Sequence, residues 1–177
     1  MKTHNEIDEG NKIAKKMFYF LLISILPMLL IISTYIYNPT SGMLKYIELK
    51  GSDLPSIYSL KNSILSKTLS TYVKTAPFVA FILFLTSHKN LRLKKDSSAH
   101  KALTILVLFS IFYAVLIYTF LLTNTELTKS AKLLKLMSTN DFYLSFFYIS
   151  LYSGIYVFSY LYMWFFIGTY RILKERC

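Results

Sequence analysis

The chain has 177 residues, of which 54% are apolar and 16% charged, and its mean hydropathy is +0.44. An average globular domain has about 45–50% apolar and about 25% charged residues, so this composition indicates a membrane protein and argues against a soluble enzyme. The length excludes a transporter built from two six-helix halves and predicts a single membrane domain over 1–177.

The net charge of +11 comes mainly from lysine, which supplies 17 of the 20 basic residues. Base readout and bidentate phosphate contacts favour Arg, whereas Lys beside apolar segments orients membrane proteins. We therefore expect a lipid bilayer and no nucleic acid as partner. The single cysteine, Cys177, excludes an internal disulfide, and the His residues lack metal-ligand spacing, so no metal or cofactor is expected.

Four apolar segments predict an all-α integral membrane protein, a four-transmembrane-helix bundle with spans at about 17–37, 69–88, 102–123 and 145–168. The first segment is too long for a signal peptide and lacks a good cleavage site. Pro27 predicts a kink in it. The second segment reaches spanning length only by including Lys74, whose side chain can reach the interface. Pro77 frees one backbone carbonyl near the start of that span.

Basic residues predict how the spans are oriented. The segments 1–16, 89–101 and 171–177 carry 12 basic residues, and the loops 38–68 and 124–141 carry 7. Because positive residues accumulate on the cytoplasmic side, we expect both termini and the loop 89–101 in the cytoplasm. The other two loops are expected outside.

The longer outer loop contains a candidate helix. Ser52 and Asp53 precede Pro55, a pattern that predicts a helix start. The helix would be amphipathic and lie on the outer leaflet; the alternative is a solvated loop. The apolar residues that would share its buried face are Ile57, Leu60, Ile64 and Leu65.

The apolar interiors of the spans lack the groups that catalysis and ion coupling need. They contain no Asp, Glu or His, whereas proton relays and cation-coupled transport usually need an ionisable group in the bundle. No Ser–His–Asp set or carboxylate pair can form there, so no catalytic residue is assigned. These absences argue against an enzyme and against an active transporter. The function class that is left is protein binding within the bilayer.

The fourth span carries two candidate contact faces. Tyrosines recur every four residues and form one stripe, which should face protein because phenolic hydroxyls lack partners in lipid. Roughly opposite, Ser150 and Gly154 form a small-xxx-small pair that lets another helix approach. Internal packing on both faces and contact with a partner are the two interpretations. The tyrosines of the stripe are Tyr148, Tyr152, Tyr156 and Tyr160.

Several short stretches, in order along most of the chain, resemble the four-span immunity proteins that protect bacteria against pore-forming colicins of the colicin A type. Each stretch is unspecific alone, and together they are fairly specific. They are Leu54-Pro55-Ser56-Ile57, Lys74-Thr75-Ala76-Pro77-Phe78, Glu126-Leu127-Thr128, Leu136-Met137, Asn140-Asp141, Phe147-Tyr148-Ile149 and Leu151-Tyr152-Ser153.

The resemblance implies an inner-membrane protein of the colicin-producing cell. Its partner would be the membrane-inserted pore-forming domain of a cognate colicin, which it would bind and keep from opening. The candidate contact or packing residues are then Lys74, Pro77, Tyr148, Ser150, Tyr152, Gly154 and Tyr156. The alternatives are a small channel or holin-like protein, which the lack of a polar stripe through the spans disfavours, and an accessory subunit of a membrane complex.

The orientation can be tested with reporter fusions. Fusions after Ser52 or Ser130 should report a periplasmic location, and fusions after Ser97 or Arg176 a cytoplasmic one, because of the unequal distribution of basic residues. A periplasmic signal from the fusion after Ser97 would refute the arrangement.

Overall fold

The computed structural model describes residues 2–88, 99–130 and 132–174, with side chains from residue 10 onward. Its secondary structure is almost entirely helical. The elements in chain order are α1 (Lys2–Tyr37), α2 (Gly42–Lys50), β1 (Ile57–Tyr58), α3 (Ser63–Val73), α4 (Ala76–Ser87), α5 (Ala99–Ile117) with a π-helical turn (Tyr118–Leu122), β2 (Thr125–Glu126), a 3₁₀ turn (Leu127–Lys129), α6 (Lys132–Ser138) and α7 (Asp141–Lys174).

Within the described ranges, four helical stretches are long and apolar enough to cross a membrane. They are Gly10–Tyr37, Ser63–Ser87, Ala99–Leu122 and Asp141–Lys174. This number is consistent with the expected all-α membrane protein, whereas the span borders and the sides of the loops stay predictions.

The second of these stretches consists of two helices rather than one. Helix α3 ends at Val73 and α4 begins at Ala76, with Pro77 in its first turn. Proline has no N–H, and its ring clashes with the carbonyl four residues earlier, which is that of Val73. The Thr75 amide and hydroxyl both donate to the Tyr72 carbonyl, at 2.9 and 2.8 Å, and close the break. Lys74 therefore lies at a break between two helices.

Helix α7 is the centre of the bundle, and α1, α3, α4 and α5 all pack against it. Its closest associations are with α4 and α5. Aromatic rings join α5 to α7: Tyr113 stacks on Tyr162 at 4.7 Å, and Phe109 lies 5.1 Å from Phe165 between ring centroids. No residue of α5 is buried, so this helix lies at the periphery of the described bundle.

The two loops that are predicted to lie outside, 38–68 and 124–141, are folded against the bundle. Helix α2 runs along α3, where Glu48 pairs with Lys67 at 3.4 Å and accepts a hydrogen bond from Ser63 at 3.2 Å. At its end the chain passes so close to α3 that a Cβ at Gly51 would lie 2.3 Å from the Thr71 hydroxyl oxygen. The strands β1 and β2 pair in parallel and join the two loops.

The predicted amphipathic helix in the longer outer loop is wrong, and so is the solvated loop. Ile57 belongs to β1 and is buried, Leu60 is 61% exposed in a turn, and Leu65 is buried in α3. These residues therefore share no helix face. The apolar residues that suggested a helix belong to a strand, a turn and a second helix. The backbone around Ile57 is paired in a strand, so its hydrogen bonds are made there and not within a helix.

Candidate functional site

The tyrosine stripe of α7 lies inside the bundle. Tyr148, Tyr152 and Tyr156 are fully buried, and Tyr160 is 4% exposed. Their four-residue spacing places them on one face, and the chain folds its other elements onto that face. The stripe is therefore covered by the chain's own helices and loops.

Three of these tyrosines hydrogen-bond to three different elements. Tyr148 donates to the Ile57 carbonyl in β1 at 2.6 Å, and Tyr156 donates to the Met17 carbonyl in α1 at 3.1 Å. The Tyr160 hydroxyl lies 3.1 Å from the Ser87 hydroxyl at the end of α4. The stripe thus connects α7 to the outer loop, the first span and the second span.

Tyr152 differs from its neighbours because its buried hydroxyl has no hydrogen-bond partner among the described residues. Its ring stacks on Tyr72 of α3 at 5.4 Å and 20°. Tyr72 in turn donates to the Ser24 carbonyl of α1 at 2.6 Å, in the turn that precedes Pro27. Pro27 leaves the Ile23 carbonyl, four residues earlier, without its helical donor, so the bond from Tyr72 to Ser24 is a separate link between α3 and α1. Helix α1 continues through Pro27 to Tyr37.

Serines of α3 hold the strand β1 by its backbone. The Ile57 amide donates to the Ser70 hydroxyl at 3.1 Å, and the Ser59 amide donates to the Ser66 hydroxyl at 2.9 Å. The Ser59 hydroxyl donates to the Ser138 carbonyl at 3.0 Å. The backbone polar groups of this short strand are therefore satisfied by side chains as well as by its partner strand.

Two polar contacts join the outer loops to each other and to α7. The Ser56 amide donates to the side-chain oxygen of Asn124 at 2.8 Å, and the Asn62 amide group donates to the Asp141 carboxylate. We refer to the segments 42–62 and 124–140, joined in this way, as the outer cap, after the side that the basic residues predict for them.

A local charge cluster lies beside β2 in the outer cap. The Thr128 hydroxyl donates to the Glu126 carboxylate and lowers its pKa, and the Lys129 ammonium, 3.1 Å away, lowers it further. The carboxylate therefore stays ionised beside the strand pair.

Lys74 makes an internal contact at the break between α3 and α4. Its ammonium donates to the Leu121 carbonyl, in the π-helical turn that follows α5, at 2.5 Å. Pro77 is half-buried in the first turn of α4. Of the two residues that the sequence singled out here, Lys74 contacts another part of the chain and Pro77 lies at the helix break.

Ser150 and Gly154 lie on a face of α7 that the described chain leaves open. Ser150 is exposed and Gly154 half-buried. A Cβ built at Gly154 would meet no atom within 4 Å outside the backbone of its own helix. The two faces of α7 thus differ, since the tyrosine face is filled and the small-residue face is open at Gly154.

The sequence interpretation missed the serines of α3 and the acceptor of Lys74. Ser66 and Ser70 are spaced by four residues, and this polar row on an otherwise apolar helix was the available signal. The Leu121 carbonyl had no signal, because every residue carries a backbone carbonyl. These contacts join elements, so the chemistry of the site is that of binding and packing.

A family model described as "Colicin immunity protein" matches residues 40–177. The chain belongs to the colicin immunity protein family. This membership confirms the resemblance drawn from the short stretches and supports immunity to colicins.

Curated relatives place the chain among immunity proteins for several colicins. It is 34% identical to the colicin-A immunity protein of Citrobacter freundii over 99% of both chains. It is 45% identical to the colicin-N immunity protein of Escherichia coli over 59% of this chain and 80% of the relative. Identity to the colicin-B immunity protein of Escherichia coli is 32%, over 86% and 87% of the two chains. No solved structure matches the chain.

Phenylalanine substitutions test the difference between Tyr148, whose hydroxyl is hydrogen-bonded, and Tyr152, whose hydroxyl is not. We expect Tyr148→Phe to lower the free energy of unfolding by about 1–3 kcal/mol, because it leaves the buried Ile57 carbonyl without this donor. The matched variant Tyr152→Phe removes an unpaired hydroxyl and should be neutral or stabilising. Thermal and denaturant unfolding in detergent measure both. A larger loss for Tyr152→Phe than for Tyr148→Phe would contradict the assignment.

Proposed function

We propose that the protein lies in the bacterial inner membrane and protects the producing cell from a cognate pore-forming colicin. It would bind the inserted channel domain of the toxin and keep the pore from opening. Family membership over residues 40–177, with relatives named for colicins A, N and B, is the observation that carries this proposal. The protein would act by binding, without a catalytic step.

The mechanism follows from where the toxin and the protein meet. A channel domain that has inserted into the bilayer can be reached by lateral diffusion of a protein that already spans it. Recognition at that depth depends on close helix packing and interhelical hydrogen bonds, because lipid removes the usual hydrophobic driving force. The channel is held shut only if the immunity protein binds its closed state more tightly than its open state.

The open face of α7 is the proposed contact for a toxin helix. Ser150 is exposed and a Cβ at Gly154 would meet no atom within 4 Å outside its own helix backbone, so a partner helix can approach the α7 backbone there. Tyr148, Tyr152 and Tyr156 are buried, and in this proposal they act indirectly by holding α7 against the elements around it.

A killing assay tests the proposed function directly. Cells with and without the gene are exposed to a panel of purified pore-forming colicins, and survival is measured. We expect protection against one colicin or a small related group. The proposal is wrong if expressing cells are as sensitive as control cells to every member of the panel, and growth inhibition by expression alone would favour a channel or holin.

The variant Gly154→Leu tests the contact face. Leu is favourable in a membrane helix, and the space at Gly154 is open, so expression and thermal stability should stay normal. The added side chain should block close approach of a toxin helix and lower protection by about tenfold or more. The matched control Ser33→Leu adds bulk to an exposed position of α1 and should protect normally.

Two outcomes would contradict this assignment. Full protection by Gly154→Leu would show that the face does not contact the toxin. A bundle that becomes unstable in detergent would show that the face is used for internal packing, in conflict with the open space at Gly154.

A further inference from the structure

Helix α5 depends on few contacts for its position. It packs chiefly against α7, and none of its residues is buried. Near the start of α5, the Ala102 carbonyl accepts from the Thr169 hydroxyl of α7 at 3.5 Å. About one turn before the end of α5, the Tyr113 hydroxyl lies 2.8 Å from the Ser159 hydroxyl of α7. Both contacts come from α7. The other end of α5 has contacts of its own, since Asn124, three residues after Leu121, accepts from the Ser56 amide and β2 pairs with β1.

That other end is the π-helical turn Tyr118–Leu122, after which Thr123 is extended. The last carbonyls of a helix have no N–H partner within it, and in lipid they must be satisfied by another part of the protein. The Leu121 carbonyl receives the Lys74 ammonium at 2.5 Å, and the Leu121 side chain is 8% exposed. The donor comes from the second span and not from α7.

The helix break gives Lys74 access to this carbonyl. Pro77 ends α3 at Val73, so Lys74 lies between two helices and is half-buried. Lys67 provides the contrast, because it lies seven residues earlier on α3 and pairs with the Glu48 carboxylate of α2 instead of a backbone carbonyl. One lysine therefore serves a surface ion pair, and the other joins the second and third spans.

We infer that Lys74 is a positioning residue that fixes the outer-cap end of α5 through the Leu121 carbonyl. As far as it concerns protection, this inference rests on the proposed function. It differs from an anchor in the lipid headgroups, because the group that Lys74 serves is within the protein. It also differs from a toxin contact, because the ammonium acts on α5 in the absence of toxin.

Distances between spin labels test the positioning without any toxin. In a Cys177→Ser background, labels at Leu122 and Phe142, both more than half exposed, report the outer-cap ends of α5 and α7. Labels at Leu103 and Phe166, also about half exposed, report the opposite end. Double electron–electron resonance in lipid nanodiscs gives both distance distributions.

We expect the Leu122–Phe142 distribution to broaden or shift in Lys74→Met by less than one helical turn of about 5 Å, because Asn124 and β2 still hold the chain just after it. That variant keeps a long side chain and removes the donor. The Leu103–Phe166 distribution should stay unchanged, which also shows that the variant is folded. Lys74→Arg restores donors and should restore the outer distribution, and Lys67→Met should leave both distributions unchanged.

Protection by the same variants is measured in the killing assay. We expect Lys74→Met to lose about tenfold in protection at normal membrane levels, with recovery in Lys74→Arg and none of the loss in Lys67→Met. Unchanged outer distances in Lys74→Met overturn the inference: with unchanged protection Lys74 is a headgroup anchor, and with lost protection it contacts the toxin. If the unmodified protein protects against no colicin, the proposed function fails while the distances still decide the role of Lys74.

Discussion

The structure depends on one constraint: a backbone polar group at the depth of a membrane must find its partner within the protein. Several side chains donate to backbone carbonyls of other elements in this fold. Tyr148 donates to the carbonyl of Ile57 in β1, Tyr156 to that of Met17 in α1, and Lys74 to that of Leu121 after α5. Each of these bonds joins two elements far apart in the sequence and so helps to hold the bundle together.

This arrangement explains why α7 is the centre of the fold. One face of the helix carries the hydroxyls that reach three other elements, and that face is fully covered. On the opposite side Ser150 is exposed, and a Cβ at Gly154 would meet no atom within 4 Å outside its own helix backbone. A helix that is packed on one side can bind a partner on its other side while keeping its position in the bundle. That division between a filled face and an open face is what the proposed binding role requires.

The sequence predicted the parts of this fold that follow from periodicity and length. Four apolar stretches and the tyrosine stripe are visible because their spacing is local. The strands β1 and β2 are two residues each and lie 68 positions apart, so they leave no pattern that a reader of the sequence could use. The helix expected near Ile57 failed for the same reason, since its apparent spacing belonged to three different elements. The candidate residues of the fourth span lie on one helix, as their spacing predicted, but which face of that helix is open depends on the packing of the other elements.

The central claim is that the outer cap belongs to the folded core through bonds to its backbone. Hydrogen–deuterium exchange in lipid nanodiscs tests this claim directly, because the Ile57 and Ser59 amides donate to buried serine hydroxyls of α3. The account predicts that both amides exchange as slowly as those in the middle of α7 and far more slowly than those of the exposed turn at 60–61. Exchange at Ile57 and Ser59 as fast as in that turn would contradict it.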